Sequence, residues 1–229
     1  MSNEMQLKLI ETYSMVCDLF DKNPQWNFIR LSNNNTPAQF TDQEVVTIYL
    51  FVGYYQKYSK IKEIHDFTRH YLLNWFPNLT SYEKFNNRLN ILNQIFYDIS
   101  LDIISNNIPV NAQFQTQMID SLPIVTCKQR NRTAKVAREC VDKGFCSTKK
   151  MYYYGLKFHL LAFRRNSMTG LTIIFFPLLF LKFDKRLNRF LIGLSKIRIS
   201  KTPLKFRSKN GLCLHCFGKL AIACLIFLF

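Results

Sequence analysis

Acidic side chains are scarce in this chain of 229 residues. Fifteen Asp and Glu stand against 31 Lys and Arg, a formal net charge of +16. The scarcity is sharpest at one end. Residues 171–229 hold eleven Lys and Arg but a single acid, Asp184, and no Glu follows Glu139. A site built from several carboxylates has no material there. The excess of cations favours a polyanionic partner, with nucleic acid as the first candidate. The alternative is an AT-rich gene that inflates Lys. Long apolar runs are missing too. Leu171–Leu181 is short and broken by Pro177, and Leu220–Phe229 is ten residues, where a spanning helix needs about 18 or more. A membrane-associated basic protein is therefore a weak reading, resting on the apolar, cationic tail alone. The start, Met1-Ser2-Asn3-Glu4-Met5-Gln6, lacks the basic and apolar regions of a secretory signal. The seven Cys fall at irregular spacing with no disulfide framework, which points to thiols in a reducing compartment.

The N-terminal half carries helical signals. Residues 4–20 read as a modestly amphipathic helix, followed by an Asn-rich loop through Asn33-Asn34-Asn35-Thr36-Pro37. Thr41-Asp42-Gln43-Glu44 has the capping-box form. The helix behind it, to about Tyr58, is apolar nearly all round through Val45, Val46, Ile48, Leu50, Phe51 and Val52, and is expected at the centre of a helical domain. Ser59 is placed to cap a third helix, whose buried stripe would be Ile61, Ile64, Thr68, Tyr71 and Trp75. Pro77 ends it. Thr80-Ser81-Tyr82-Glu83 repeats the capping-box form. The helix it opens carries one apolar seam: Phe85, Leu89, Leu92, Phe96, Ile99 and Ile103. Residues 1–108 thus form a helical domain. It is either a DNA-binding unit of helix-turn-helix type or a plain bundle packed on the C-terminal half. His65 and His70 read as ordinary surface or interface histidines.

The period then changes. Phe114, Thr116 and Met118 alternate with Gln113, Gln115 and Gln117, which is strand periodicity. The strand runs into Ile119-Asp120-Ser121-Leu122-Pro123, and Pro123 is expected to break the ladder. Asp120 is then a carboxylate at a strand end, where metal-dependent polynucleotidyl transfer places its ligands. Its plainer reading is a turn-capping Asp. A second strand runs through Tyr152-Tyr153-Tyr154-Gly155-Leu156-Lys157-Phe158-His159. Its wholly apolar face (Tyr152, Tyr154, Leu156, Phe158, Leu160, Ala162) is expected to meet the core. The other face offers Lys157, His159 and Gly155 beside the carboxylate, suited to a phosphodiester, or else forms a solubilised sheet edge. Between the strands, Lys128, Arg130, Arg132, Lys135 and Arg138 precede the first acid, Glu139. Lys149 and Lys150 precede the second strand. These basic groups suit phosphate contact, with salt-sensitive affinity, or a solvated loop. Cys127, Cys140, Cys146 and His159 lack zinc-ligand spacing, and the Cys213-x-His215-Cys216 cluster reads as accidental.

Several blocks agree in order: Trp75-Phe76-Pro77-Asn78-Leu79-Thr80-Ser81-Tyr82 with Phe85-Asn86-Asn87-Arg88-Leu89, then Ile119-Asp120-Ser121-Leu122-Pro123-Ile124, then Asp142-Lys143-Gly144-Phe145-Cys146, then Tyr154-Gly155-Leu156-Lys157-Phe158-His159. Over roughly residues 5–170 the chain resembles the DDE-type transposases of bacterial insertion sequences. The resemblance implies an α+β chain. A helical N-terminal domain leads into the first strands of an incomplete ribonuclease-H-like core over residues 109–170, and an irregular tail completes the chain over 171–229. It implies Asp120 as the first acid of the triad and an Mg²⁺ ligand. It implies element ends and target DNA as partners, a homo-oligomer, and a bacterial cytoplasmic, nucleoid-associated location. A third strand starts at Leu171, but the second Asp and the later Glu are not identifiable. A frameshift near residues 165–175 accounts for the loss of acids, motif and composition together. The expected protein is a transposase by descent that lacks activity, or else a non-catalytic remnant that binds element ends.

Overall fold

A computed structural model describes residues 1–29, 39–106, 112–128, 141–146, 150–165, 171–172, 208–225 and 228. Within these, residues 27–29, 112–123, 127–128, 156–165 and 171–172 are described by backbone alone. The described chain is mostly helical with a small antiparallel sheet, an α+β arrangement. It divides into two compact units. The first is Met1–Ser100 with Cys213–Phe229, and the second is Leu101–Leu212.

In the first unit, α1 (Asn3–Lys22) starts where the Ser2 side chain accepts from the Met5 N–H, and a 3₁₀ turn comes next (Pro24–Ile29). α2 (Asp42–Tyr55) opens on the expected capping box. Thr41 Oγ1 accepts from the Glu44 N–H at 3.3 Å, and the Glu44 carboxylate accepts from the Thr41 N–H at 2.6 Å. Every residue from Val45 to Gly53 is buried. Each large apolar side chain so buried contributes about 1.5–3 kcal/mol before entropy is counted. The expectation of a central helix with no polar face is met.

The third helix, α3 (Ile61–Tyr71), departs from the expected stripe. Ile64, His65 and Thr68 are buried, as is Leu72 just beyond, while Tyr71 and Trp75 are 67% and 41% exposed. The buried line runs in i, i+4 steps, and Trp75 lies past the end of the helix, where its periodicity no longer applies. The N-cap is Lys60, without a side-chain hydrogen bond, so Ser59 does not cap it. His65 is a core residue. Its Nε2–H donates to the Thr80 carbonyl at 2.9 Å, and its ring lies against Tyr82 and Phe85.

The seam from Phe85 to Ile103 is buried throughout, but two helices carry it. α4 (Tyr82–Ile91) ends at Leu92, and α5 (Asn93–Asn106) begins one residue later. Asn93 Nδ2 donates to the Asn90 carbonyl at 2.6 Å, and the Ile95 N–H reaches back to Leu92 at 3.0 Å. An asparagine competing for backbone carbonyls, with a tightened i to i−3 turn, interrupts the ladder without turning the apolar face away. No capping box forms at Thr80. Ser81 holds the N-cap position without a side-chain bond. Arg88 of α4 instead grips Asp42 in the first turn of α2. Nε donates to Oδ1 at 2.6 Å and Nη2 donates to Oδ2.

The tail corrects an expectation. Lys209–Cys224 forms α6, where the sequence suggests an irregular segment. Leu214, Cys216, Leu220, Ala221, Ile222 and Cys224 are buried in the first unit. The fit to α2 is reciprocal. A Cβ at Gly53 of α2 would strike the Ile222 side chain, and a Cβ at Gly218 of α6 would lie 2.6 Å from Tyr49 Oη. Each helix thus has a bare backbone where the other sends a large side chain. Among the described residues no helix is long and apolar enough to cross a membrane.

In the second unit, β1 (Ala112–Lys128), β2 (Asp142–Cys146), β3 (Met151–Arg165) and β4 (Leu171–Thr172) form an antiparallel sheet. β3 pairs along most of its length with β1, and β2 and β4 share its other edge. β1 runs through Pro123, which pairs with Lys157, so the expected break is not there. An edge strand tolerates Pro because a missing N–H can face away from the ladder.

The packing of α6 is open to two tests. In a solvated helix Gly→Ala is favourable by about 1 kcal/mol. Gly218→Ala should instead destabilise the protein by about 1–3 kcal/mol in urea unfolding. Tyr49 is buried, packs against Phe96 at 4.9 Å and has no room to give way. The second test concerns pH. Burial, then the nearby Lys219 cation, pull His215 down to about 4. Burial pulls Lys219 down to about 8 against the opposing attraction of Glu63. The unfolded His215 takes its proton near 6.5, before the folded one does, so its share of stability is complete above that pH and is lost as pH falls toward 4. Between pH 7 and 5 the loss is about 2 kcal/mol, and His215→Gln should reduce the difference between urea midpoints at those two pH values. Lys219 does not contribute to that slope, because both its states are protonated there.

Candidate nucleic-acid interface

The β1–β3 ladder fixes where the candidate residues stand. Asp120 pairs with Leu160, well inside a 17-residue strand and not at its end. Ser121 pairs with His159, and Pro123 with Lys157. Register is unbroken between Gln117 and Val125, and successive rows of a pleated ladder belong to opposite faces. The Asp120 row and the rows of Lys157 and His159 therefore alternate. The expected juxtaposition of a carboxylate with a cationic face does not arise from this register.

The next acid along the fold is Asp142 of β2, paired with Gly155. That row is five residues along β3 from Leu160. At about 3.3 Å per residue the two acids stand roughly 16 Å apart along the strand. Two carboxylates at that separation cannot share a metal ion, whose oxygen ligands lie within about 2–2.6 Å of it. Glu139 and Asp184, the remaining acids after Asp120, lie outside the described residues. Among the described residues no group of three His, Cys, Asp or Glu is placed to hold a metal. Cys213, His215 and Cys216 share α6, but positions one and two apart on a helix do not face each other, so His215 does not join the two Cys.

Of the basic residues, Lys128 closes β1 opposite Tyr153, and Lys150 is exposed just before β3, with a positive φ of 47°. Arg130, Arg132, Lys135, Arg138 and Lys149 lie outside the described residues.

Where side chains are described, the two faces of β3 are the reverse of the expected ones. Tyr153 is 2% exposed and Gly155 is buried, whereas Tyr152 is 45% exposed. The physical reason is the glycine. A Cβ at Gly155 would strike the Ile124 carbonyl oxygen and lie 3.0 Å from the Tyr153 ring. The bare position that suggested approach by a ligand is filled from within, by β1 and by a tyrosine laid beside it. Thr126 Oγ1 donates to the Tyr154 carbonyl at 2.9 Å and ties the same two strands.

The opposite face of the β2–β3 hairpin is where aromatic and cationic groups meet water. Phe145 and Tyr152 are cross-strand partners with centroids 4.9 Å apart, and Lys143 Nζ lies 5.2 Å from the Tyr152 ring centre. Sequence reasoning missed this cluster, because strand alternation separates two faces without saying which one is wet. No protein-family model, curated protein or solved structure matches the chain.

Gly155→Ala should separate β1 from β3 locally. The expected result is a loss of about 2 kcal/mol in urea unfolding, with faster amide exchange at Ile124–Thr126 and Tyr154–Leu156. Unchanged exchange at those amides would remove the role given to Gly155.

Proposed function

We propose that the chain is a DNA-binding protein of DDE-transposase type without strand-transfer chemistry. One observation carries the reading. The ordered blocks that resemble the family include Ile119-Asp120-Ser121 and Tyr154-Gly155-Leu156-Lys157, and those two segments belong to strands paired side by side in one antiparallel ladder. An antiparallel run of β1, β3 and β4 is compatible with the opening of a ribonuclease-H-like core. A net charge of +16 supplies the attraction for phosphodiesters. Lys128, Arg130, Arg132, Lys135, Arg138, Lys149, Lys150, Lys157 and His159 are the groups proposed to meet the backbone of element ends.

In a complete core of this type, Mg²⁺ held by three acids would activate the attacking oxygen and stabilise the leaving one. Among the described residues the acids do not fit that role. Asp120 is far from Asp142 along the sheet, and the tail supplies only Asp184. Binding without cleavage is therefore the function proposed, at element ends in the bacterial cytoplasm.

The test is made on purified full-length protein. Duplex DNA should bind with an affinity whose logarithm falls linearly with the logarithm of salt concentration. Supercoiled plasmid with Mg²⁺ should be nicked no faster by the wild type than by Asp120→Asn. Nicking that requires both Mg²⁺ and Asp120 would overturn the loss of chemistry, and failure to bind DNA at low salt would overturn the whole reading.

A further inference from the structure

We infer that the outer face of the β2–β3 hairpin is a stacking platform for an unpaired DNA base, built from Phe145 and Tyr152 with Lys143 beside them. The inference rests on the reading of DNA as partner and adds the form of DNA that this face takes.

Three observations carry it. Phe145 and Tyr152 are 49% and 45% exposed, so two adjacent aromatic rings are left in water together. They stand opposite each other in register, 4.9 Å apart and inclined by 55°, Tyr152 on β3 and Phe145 on β2, which is an edge strand among the described residues. The cation is already in place, with Lys143 Nζ 5.2 Å from the centre of the Tyr152 ring, and exposed Lys150 lies at the other end of the same short hairpin. The backbone holding this face is braced from behind. Tyr153, between Tyr152 and Tyr154 in sequence, is buried on the opposite side. Asp142 alternates with Lys143 and so belongs to that opposite side as well.

This combination selects its occupant. An aromatic face with a cation at its rim suits a flat, π-rich group that carries an adjoining anion, and a nucleotide is such a group. In a duplex the base faces are covered by their neighbours, so only an unpaired base can lie on the rings. Base stacking on aromatic side chains tolerates any sequence, and the platform would therefore select for strand opening and not for sequence. A cross-strand aromatic pair that only stabilises the hairpin would leave binding indifferent to the strandedness of DNA.

The experiment compares a short oligothymidylate with a duplex of equal length by fluorescence anisotropy at low salt. The proteins are the full-length wild type, Phe145→Leu/Tyr152→Leu, which keeps apolar bulk without rings, and Phe145→Trp, which keeps a ring. The expected result is a loss of at least about tenfold in oligothymidylate affinity for the double variant, with duplex affinity within about twofold. Phe145→Trp should keep the affinity, and its added emission should be quenched at saturating oligothymidylate. If the double variant binds the single strand as the wild type does, or if the wild type binds only duplex, the platform is overturned while DNA binding stands. If neither form of DNA binds the wild type, both readings fall together. If the double variant loses its circular dichroism signal, Phe145→Trp decides, and unquenched emission overturns the platform.

Discussion

Helix α2 has no side that tolerates water, and the first unit is arranged around that fact. From Val45 to Gly53 every residue is buried. A helix of this kind cannot lie on a surface, so other elements must close over all of it. The Asp42–Arg88 pair fixes one end of α2 to α4, where a bidentate guanidinium–carboxylate contact sets orientation as well as distance. The reciprocal Gly53–Ile222 and Gly218–Tyr49 contacts fix α6 against α2. The loss of any cover would leave large apolar residues facing solvent.

Legibility in the sequence tracked the strength of local signals. The capping box at Thr41, the all-apolar run behind it and the seam from Phe85 to Ile103 could be read because each has a fixed spacing with a direct physical cause. The break at Leu92 could not, because the seam continues through it and only the Asn93 side chain marks the interruption. α6 was hidden for the opposite reason. Buried residues sit on nearly every side of it, so no polar stripe remains to give it a period. Its burial against α2 also means that the unusual composition of the tail coexists with a specific fit over these residues.

In the sheet, alternation separated the two faces of β3 correctly but, over Met151–Gly155 where side chains are described, assigned them wrongly. Counting apolar side chains favoured the Tyr152 side as the inner one. The structure sets Tyr153 inside because Gly155, next on its face, leaves the space its ring occupies. A rule based on side-chain polarity has no access to that, since all three consecutive tyrosines are equally amphipathic. Pro123 misled in the same manner. It cannot serve a strand paired on both edges, but among the described residues β1 pairs on one edge alone. The same length of β1 carries Asp120 into the strand interior, away from the turn where a capping role would have explained it.

The dependence of α2 on α6 has a temporal side. Tyr49 waits for Gly218, roughly 170 residues later in the chain. At synthesis rates of about 5–20 residues per second, that interval lasts about ten to thirty seconds. Throughout it, one flank of a helix that is buried from Val45 to Gly53 emerges uncovered. A nascent chain in that condition is a natural client for chaperones near the ribosome.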